Sequence, residues 1–416
     1  DLKKILFIFP EIFNAESEIR YPPFGLLDMA SYLRSKNCIA DIFDRNLDGN
    51  TLDRLFETIW ANQYDILALS AMFIQKDDSD KILSLINERF SGLVVLGGDY
   101  FVTYKEKYSE KADYVVCGNG ELFLEYLVNN NSVKRGIHYP PILQNLNEIP
   151  IPDKELLDSV AWDKRVFSLK TSRGCPFNCI FCSNVNNNSK NVRFFSAEYI
   201  LKYMDFVKTN YGIHKFRFLD DIFTLNKRRI LDLCDMLVRK DSDVVISDCF
   251  SHISINDAEI FKAMHKAGFE SVQVGIESGN DEILKRIGKN ITRKKITDTV
   301  NTMYECGLKV EGLYMIGNIG DTKETIKETI EFAYGLPTYK DWFSYACPLP
   351  NSIFYDLALE NGTIIEHDYN LYTNKQVVYV PKGMQKHELE DLMMQAREMV
   401  LKKMLNNKRK KLYKYE

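Results

Sequence analysis

Three cysteines stand close together in the segment Cys175-Pro-Phe-Asn-Cys179-Ile-Phe-Cys182. Thiolates on a short irregular loop can bind one corner of an iron–sulfur cluster, and three ligands leave the fourth iron open to a cofactor or substrate. A structural zinc site needs a fourth Cys or His at similar spacing. The nearest downstream histidine, His214, is 32 residues beyond Cys182. The spacing predicts an open 4Fe–4S cluster, with zinc or inert thiols as the alternatives.

Further polar or glycine-containing segments follow predicted strands. Asp220 and Asp221 follow the apolar run 215–219, Glu277 lies in Gly-Ile-Glu-Ser-Gly after 271–274, and Gly317 opens Gly-Asn-Ile-Gly after 309–316. The carboxyl ends of parallel strands are where such folds collect reactive groups. Asp221 is equally consistent with a helix N-cap, and the glycines with plain turns. Glu277 has no such structural explanation and is favoured as functional.

These motifs resemble the radical S-adenosylmethionine (SAM) superfamily, which is defined by the Cys-x3-Cys-x2-Cys spacing. The resemblance implies that the open iron binds the amino and carboxylate groups of SAM. An electron, from a donor such as flavodoxin or ferredoxin, then releases a 5′-deoxyadenosyl radical that takes a hydrogen atom from the substrate. Asp220 is the predicted contact of the SAM ammonium group, although two carboxylates stand here where many members have glycines and a Glu. The SAM contacts implied by the resemblance are Phe181, Asp220, Asp221, Glu277, Ser278 and Gly317.

The first third of the chain resembles members with a cobalamin-binding-type domain before the barrel. The matching segments are 21–26, 96–99 with Thr103, 118–121 and, later, 348–352. The Asp-x-His-x-x-Gly motif that gives cobalt a histidine is absent, and His138 is the only histidine before residue 165. If cobalamin binds, the implied contacts are Ser70, Gly97, Gly98 and Thr103. The same residues are equally consistent with tight strand–helix turns.

The hydrophobic pattern predicts the elements that position these residues. Apolar runs alternate with amphipathic stretches through residues 1–138, which predicts an α/β domain with a doubly wound parallel sheet. Residues 139–164 are proline-rich and are expected to form a linker. Six strand–helix units in 165–350 predict a partial (β/α)6 barrel, fewer than the eight units of a closed one. Residues 351–416 are expected to form a small helical segment.

Two further cysteines and a basic tail lie outside these motifs. Cys249 and Cys347 each end a predicted barrel strand, and Cys347 is the better candidate for donating a hydrogen atom to a substrate radical. Core packing is the favoured explanation for both. The cationic side chains near the end of the chain are expected to form a solvated helix end. They are Lys402, Lys403, Lys408, Arg409, Lys410 and Lys411.

Composition excludes several classes of protein. The net charge of −4 provides no positive electrostatic potential that would attract nucleic acid. No apolar stretch approaches the roughly 20 residues that span a bilayer. The apolar run 5–9 is too short for a signal-peptide core, so a cytoplasmic location is expected. Nine cysteines in such a chain indicate metal chemistry rather than disulfides.

Three functions compete. The leading prediction is cobalamin-dependent methylation of an unactivated carbon. The second is a cobalamin-free epimerase, dehydratase or rearrangement enzyme that keeps the first domain as a scaffold. The third is a zinc-binding interaction module. The substrate class stays open among small molecules, peptides and lipid-like compounds.

Overall fold

The computed structural model describes residues 3–12, 20–130, 132–183, 190–240 and 243–412, with the side chains of the last helix described to residue 407. The chain divides into two units. Unit 1 comprises Asp1–Ser168 with Arg193–Phe195, and unit 2 comprises Leu169–Val192 with Ser196–Glu416. The finer four-part division expected from the sequence stays a prediction.

Unit 1 is built on a parallel sheet of six strands. The strands are β1 (Lys4–Phe9), β2 (Ile39–Asp44), β3 (Ile66–Ser70), β4 (Leu93–Gly97), β5 (Tyr114–Val116) and β6 (Gly136–His138). Their order is β2-β1-β3-β4-β5-β6, and all neighbours are parallel. The helices are α1 (Phe24–Ser35), α2 (Leu52–Asn62), α3 (Lys76–Arg89), α4 (Gly98–Thr103), α5 (Lys105–Tyr108), α6 (Glu121–Asn129) and α7 (Lys154–Asp158). This confirms the predicted doubly wound α/β class.

The burial of these strands explains why the sequence pattern predicted most of them. Ile5 to Ile8 of β1 are almost completely buried, as expected for a parallel strand covered on both faces. β6 was not predicted, because its three residues are only half-buried and carry no apolar run. It adds a sixth strand at the edge of the sheet.

Unit 2 holds the second parallel sheet. The strands of this sheet are β7 (Phe167–Leu169), β10 (Lys215–Phe218), β11 (Val245–Ser251), β12 (Phe269–Glu277), β13 (Lys309–Ile316) and β14 (Lys340–Tyr345). Two short strands flank the cysteine segment along the chain, β8 (Ser172–Arg173) and β9 (Arg193–Phe194), of which β9 belongs to unit 1. The strand order is β7-β10-β11-β12-β13-β14, with β7 and β14 at the edges of the sheet. The pairings from β10 through β14 are parallel. The predicted open, six-stranded barrel is confirmed.

Helices cover this sheet and continue beyond it. They are α8 (Ala197–Tyr211), α9 (Lys227–Arg239), α10 (Ala258–Lys266), α11 (Asp281–Arg286), α12 (Arg293–Glu305), α13 (Lys323–Gly335), α14 (Ile353–Asn361) and α15 (Lys386–Leu412). A short antiparallel pair, β15 (Gly362–Ile364) and β16 (Tyr379–Pro381), lies between α14 and α15. Within the described ranges, no helix combines the length and apolar character needed to cross a bilayer.

The basic end of α15 corrects one expectation from the sequence. Lys403 is not solvated but buried, at 7% exposure. Its ammonium group donates to the Asp341 carboxylate at 2.6 Å, to the Ala333 carbonyl at 2.5 Å and to the Thr338 hydroxyl. A charge sequestered from water requires such partners. Lys403 therefore attaches the C-terminal helix to the start of β14.

Removing this cation should destabilise the protein. Lys403→Ala leaves the Asp341 carboxylate buried and unpaired, which costs about 3 kcal/mol, or roughly 6–12 °C in the midpoint of thermal unfolding for a unit of this size. The exposed neighbour Lys402 provides the matched control, and Lys402→Ala should leave the midpoint almost unchanged. Equal losses in the two variants would contradict the structural role of Lys403.

Candidate functional site

The three cysteines lie on a loop that leaves β8. Gly174 starts the loop with φ of +96°, a conformation that favours glycine. Cys179 is buried, while Cys175 and Cys182 are partly exposed. The Cys182 N–H donates to the Cys179 carbonyl at 3.1 Å, which closes a tight turn around the last two thiols. Burial raises the pKa of the Cys175 and Cys179 thiols, and the Lys289 ammonium group opposes that shift.

The barrel holds this loop from two sides. The Ile180 N–H donates to the Ile287 carbonyl at 3.0 Å, and the Ile180 carbonyl accepts from the Phe354 N–H at 2.9 Å. Gly288, with φ of +70°, lies so close to the loop that a Cβ there would stand 2.8 Å from the Asn178 carbonyl oxygen. The loop is therefore positioned by backbone contacts that do not depend on a bound cluster.

The donor set fits an iron–sulfur cluster better than a single metal ion. Among the residues described, no three His, Cys, Asp or Glu side chains converge as ligands of one ion. A cubane cluster does not require such convergence, because each thiolate binds a different iron. Cys175 nevertheless lies close enough to Cys179 for its thiolate charge to contribute to the raised pKa of the Cys179 thiol. Three separated thiols on one short loop match what a cluster with one open iron needs.

Asp220, at the end of β10, is fully buried and already engaged. One carboxylate oxygen accepts from the Ser172 N–H at 2.9 Å and from the Thr171 N–H, and the other accepts from the Thr171 hydroxyl. The Arg229 guanidinium lies 3.7 Å away and donates to the Thr171 carbonyl at 2.8 Å. These bonds engage both oxygens and fix the chain just before the cysteine loop. The contact of Asp220 with the SAM ammonium group stays a prediction.

Asp221 is the accessible carboxylate of the pair. Its side chain is 24% exposed and lies 3.9 Å from the Lys170 ammonium group. The N-cap of α9 is Asn226, whose side chain accepts from the Arg229 N–H. Asp221 therefore does not cap the following helix, and its charge is available at the end of β10.

Glu277 and Lys289 form a buried ion pair beside the cysteines. Their side chains lie 3.0 Å apart and are 13% and 7% exposed. Glu277 has φ of +67°, a strained conformation for a residue other than glycine. A Cβ at Gly275 would stand 2.4 Å from a Glu277 carboxylate oxygen and 2.7 Å from the Lys289 ammonium nitrogen, so a larger residue there would displace the pair. Burial lowers the pKa of Lys289, but Glu277 and the thiolates raise it more, and the net shift is upward.

Sequence reasoning missed Lys289. It is one cation among many in a polar stretch after α11, and nothing in its spacing singles it out. Lys289 directly follows Gly288 in the chain, and that glycine was the available sequence signal. In the structure Gly288 has a positive φ and lies against the cysteine loop.

The other predicted SAM contacts have varied surroundings. Ser278 is buried, and its hydroxyl accepts from the Asn280 N–H at 3.1 Å before α11. Phe181 packs against an apolar cluster that includes Met315 and Phe354, and its ring centre lies 6.0 Å from the Lys289 ammonium group. Gly317 has φ of +82°, and a Cβ there would touch Leu389 at 3.5 Å. Whether these residues contact SAM stays a prediction.

In unit 1 the predicted cobalamin contacts lie at adjacent strand ends. Ser70 and Gly97 are paired in the register of β3 and β4. A Cβ at Gly98 would stand 2.5 Å from the Ala71 carbonyl oxygen and 3.0 Å from the Ser70 hydroxyl. Thr103 ends α4, the helix that begins at Gly98. The structure therefore brings Ser70, Gly97 and Gly98 together and places Thr103 one helix away.

Cys347 follows β14 and is 5% exposed in a small cluster with Tyr372 and Val378. Burial raises the pKa of its thiol to about 12, so it stays protonated at neutral pH. Cys249 is completely buried in β11. Both environments match the packing role that the sequence favoured.

The barrel matches a known family. Residues 169–333, from β7 to α13, match the model of the radical SAM superfamily. Over 94% of its length the chain is also 31% identical to an uncharacterized methyltransferase, PH0819, of Pyrococcus horikoshii, and covers 91% of that protein. The chain belongs to the radical SAM superfamily. Its cofactors are accordingly a 4Fe–4S cluster and SAM.

Two solved structures resemble this radical SAM enzyme along nearly its whole length. OxsB, a cobalamin-dependent SAM radical enzyme solved with aqua-cobalamin and SAM bound, matches 95% of the chain with a TM-score of 0.79 and 18% identity; the match covers 66% of OxsB. TsrM, a radical SAM methyltransferase from Kitasatospora setae solved with tryptophan and a SAM analogue, matches 96% with a TM-score of 0.76 and 15% identity, covering 89% of TsrM. At these identities the likeness shows the fold, including that of the N-terminal unit.

Proposed function

We propose that this radical SAM enzyme is a cobalamin-dependent methyltransferase that acts on an unactivated carbon. The observation that carries the proposal is the extent of the structural likeness, which includes unit 1 as well as the barrel. The Pyrococcus relative is named as a methyltransferase, which supports the same reaction type.

In this proposal Cys175, Cys179 and Cys182 hold the 4Fe–4S cluster. When bound, the cluster with SAM supplies a 5′-deoxyadenosyl radical, and cobalamin supplies the methyl group. Lys289 offers a buried cation to the SAM carboxylate, and the carboxylates of Asp221 and Glu277 are the candidates for its ammonium group. Because Glu277 and Lys289 already neutralise each other at 3.0 Å, both charges can be held in a site shielded from water.

Unit 1 supports a flat ligand at the ends of β3 and β4. Ser70, Gly97 and Gly98 are small residues at these strand ends, where sheets of this type bind ligands, and we place the corrin ring against them. The Asp-x-His-x-x-Gly motif that gives cobalt a histidine is absent, and His138 lies on β6, two strands away from β4 in the sheet. The cobalamin is therefore proposed to bind without a protein histidine. Thr103 would contact its periphery.

The cobalamin-free alternative has less support. Cys347 is a protonated thiol, as a hydrogen-atom donor must be, but packing against Tyr372 and Val378 accounts for its burial. The reaction further requires a one-electron donor such as flavodoxin or ferredoxin and a small-molecule or peptide substrate.

Corrinoid binding tests the proposal. Wild-type protein reconstituted anaerobically with iron, sulfide and hydroxocobalamin should retain about one corrinoid per chain after gel filtration, seen by its visible absorption. Thr103→Trp fills the proposed crevice and should abolish retention. The exposed Glu106, on α5, gives the matched control: Glu106→Trp adds the same bulk outside the crevice and should retain the corrinoid. Wild-type protein that loads its cluster but retains no corrinoid would contradict methylation through cobalamin.

A further inference from the structure

His252 lies directly after β11 and packs against the cysteine loop. Its imidazole ring stacks on the Phe177 ring with 3.6 Å between centroids and 16° between planes. Phe177 lies between Cys175 and Cys179, and His252 is 3% exposed. The histidine therefore forms part of the surroundings of the proposed cluster.

The hydrogen bonds of His252 determine its protonation. The Ser254 N–H donates to His252 Nδ1 at 3.1 Å, and the Ser254 hydroxyl lies 2.6 Å from the same atom. A ring nitrogen that accepts a backbone N–H carries no proton, so the proton of the neutral ring lies on Nε2. Burial lowers the pKa of His252 to about 3, assisted by the Lys289 and Lys295 ammonium groups. The ring is neutral at physiological pH and Nε2 is a donor.

This donor has no hydrogen-bond partner among the residues that the structure describes, and it is inaccessible to solvent. Leaving a buried donor unsatisfied costs about 1–3 kcal/mol, and native proteins rarely tolerate it. Stacking alone does not explain a histidine here, because phenylalanine would stack on Phe177 without that cost. The nearby ammonium groups of Lys289 and Lys295 make the surroundings positive, which favours an anionic acceptor.

We infer that the Nε2–H of His252 donates a hydrogen bond to an anionic acceptor of the loaded site, either a sulfur of the cluster or the carboxylate of SAM. His252 is thus a binding residue of this radical SAM centre. The inference rests on the proposed placement of the cluster on Cys175, Cys179 and Cys182. The Ser254 N–H that donates to Nδ1 keeps the ring proton on Nε2, where this hydrogen bond requires it.

His252→Phe removes the Nε2–H donor but keeps an aromatic ring that can stack on Phe177. Iron and sulfide per chain should match the wild type, because the ring contact with Phe177 remains. If a cluster sulfur is the acceptor, the midpoint potential measured without SAM by EPR-monitored titration should fall, because an N–H donor stabilises the reduced, more negative cluster. If the SAM carboxylate is the acceptor, that potential should not change and the dissociation constant of SAM, followed by its effect on the EPR spectrum, should rise about tenfold.

His252→Gln supplies the conservative rescue, because the glutamine amide can place an N–H near the position of Nε2. The glutamine variant should restore whichever value His252→Phe changes, the midpoint potential or the dissociation constant of SAM. The same recovery is expected if the phenylalanine variant binds less iron than the wild type. Potentials and SAM affinities that are equal in wild type and His252→Phe would overturn the inference, as would a glutamine variant no better than the phenylalanine one. A wild-type protein that binds no cluster would instead defeat the placement of the cluster itself.

Discussion

Cys179→Ser should yield protein without a 4Fe–4S cluster and without reductive cleavage of SAM. Cys179 is the buried member of the three thiols and forms the turn that positions Cys182. Loss of a residue that only supports a metal ligand costs about 10–100-fold in metal affinity or activity, so loss of the ligand itself should cost more than a hundredfold. Iron and sulfide analysis, the absorption near 400 nm and the yield of 5′-deoxyadenosine under dithionite measure the effect.

Cys306→Ala provides the matched control for this substitution. Cys306 is also buried in unit 2, but it ends α12, where its thiol donates only a weak hydrogen bond to the Ala258 carbonyl at 3.7 Å. The control should keep a full complement of iron and sulfide. A Cys179→Ser protein with the cluster content of the wild type would show that the cluster is held elsewhere.

Asp220→Ala should be the most destabilising carboxylate substitution in the barrel. It removes the acceptor of both the Thr171 and Ser172 N–H groups and leaves the Arg229 charge buried without its carboxylate. Removing one partner of a buried ion pair costs about 3–5 kcal/mol. Because Thr171 and Ser172 lead into the cysteine loop, cluster loading should fall as well. Thermal unfolding of the apoprotein and iron analysis measure the two effects separately.

The neighbouring carboxylate gives a contrasting result. Asp221→Ala should change the free energy of unfolding by less than about 0.5 kcal/mol, since its side chain is partly exposed, but should weaken SAM binding.

The double variant Asp220→Leu with Arg229→Met replaces both charges of the buried pair and should recover part of the stability that Asp220→Ala loses. Normal stability and loading in Asp220→Ala, with weakened SAM binding, would restore Asp220 to the role that the sequence alone assigned to it.

Asp220 also illustrates what the sequence could not provide. The pattern located two adjacent acids at the end of a strand, but the choice between them depended on which one faces inward. Asp220 is the inward-facing acid because its carboxylate pairs with Thr171 and Arg229. These two residues stand 49 residues before and nine residues after Asp220 in the chain. Lys403 is a second example, because its partners Asp341 and Thr338 are more than 60 residues away.

The sequence by itself determined the α/β class, both parallel sheets and the position of the three cysteines. These features follow from local information: apolar runs buried on both faces produce strands, and ligand spacing is written directly in the chain. Only the tertiary structure decided that Asp220 supports the loop and that Lys289 pairs with Glu277. It also decided that His252 stacks on Phe177 with a donor that has no partner among the described residues. The physical reason is that burial and pairing of charged groups depend on residues distant in sequence, whose positions only the fold establishes.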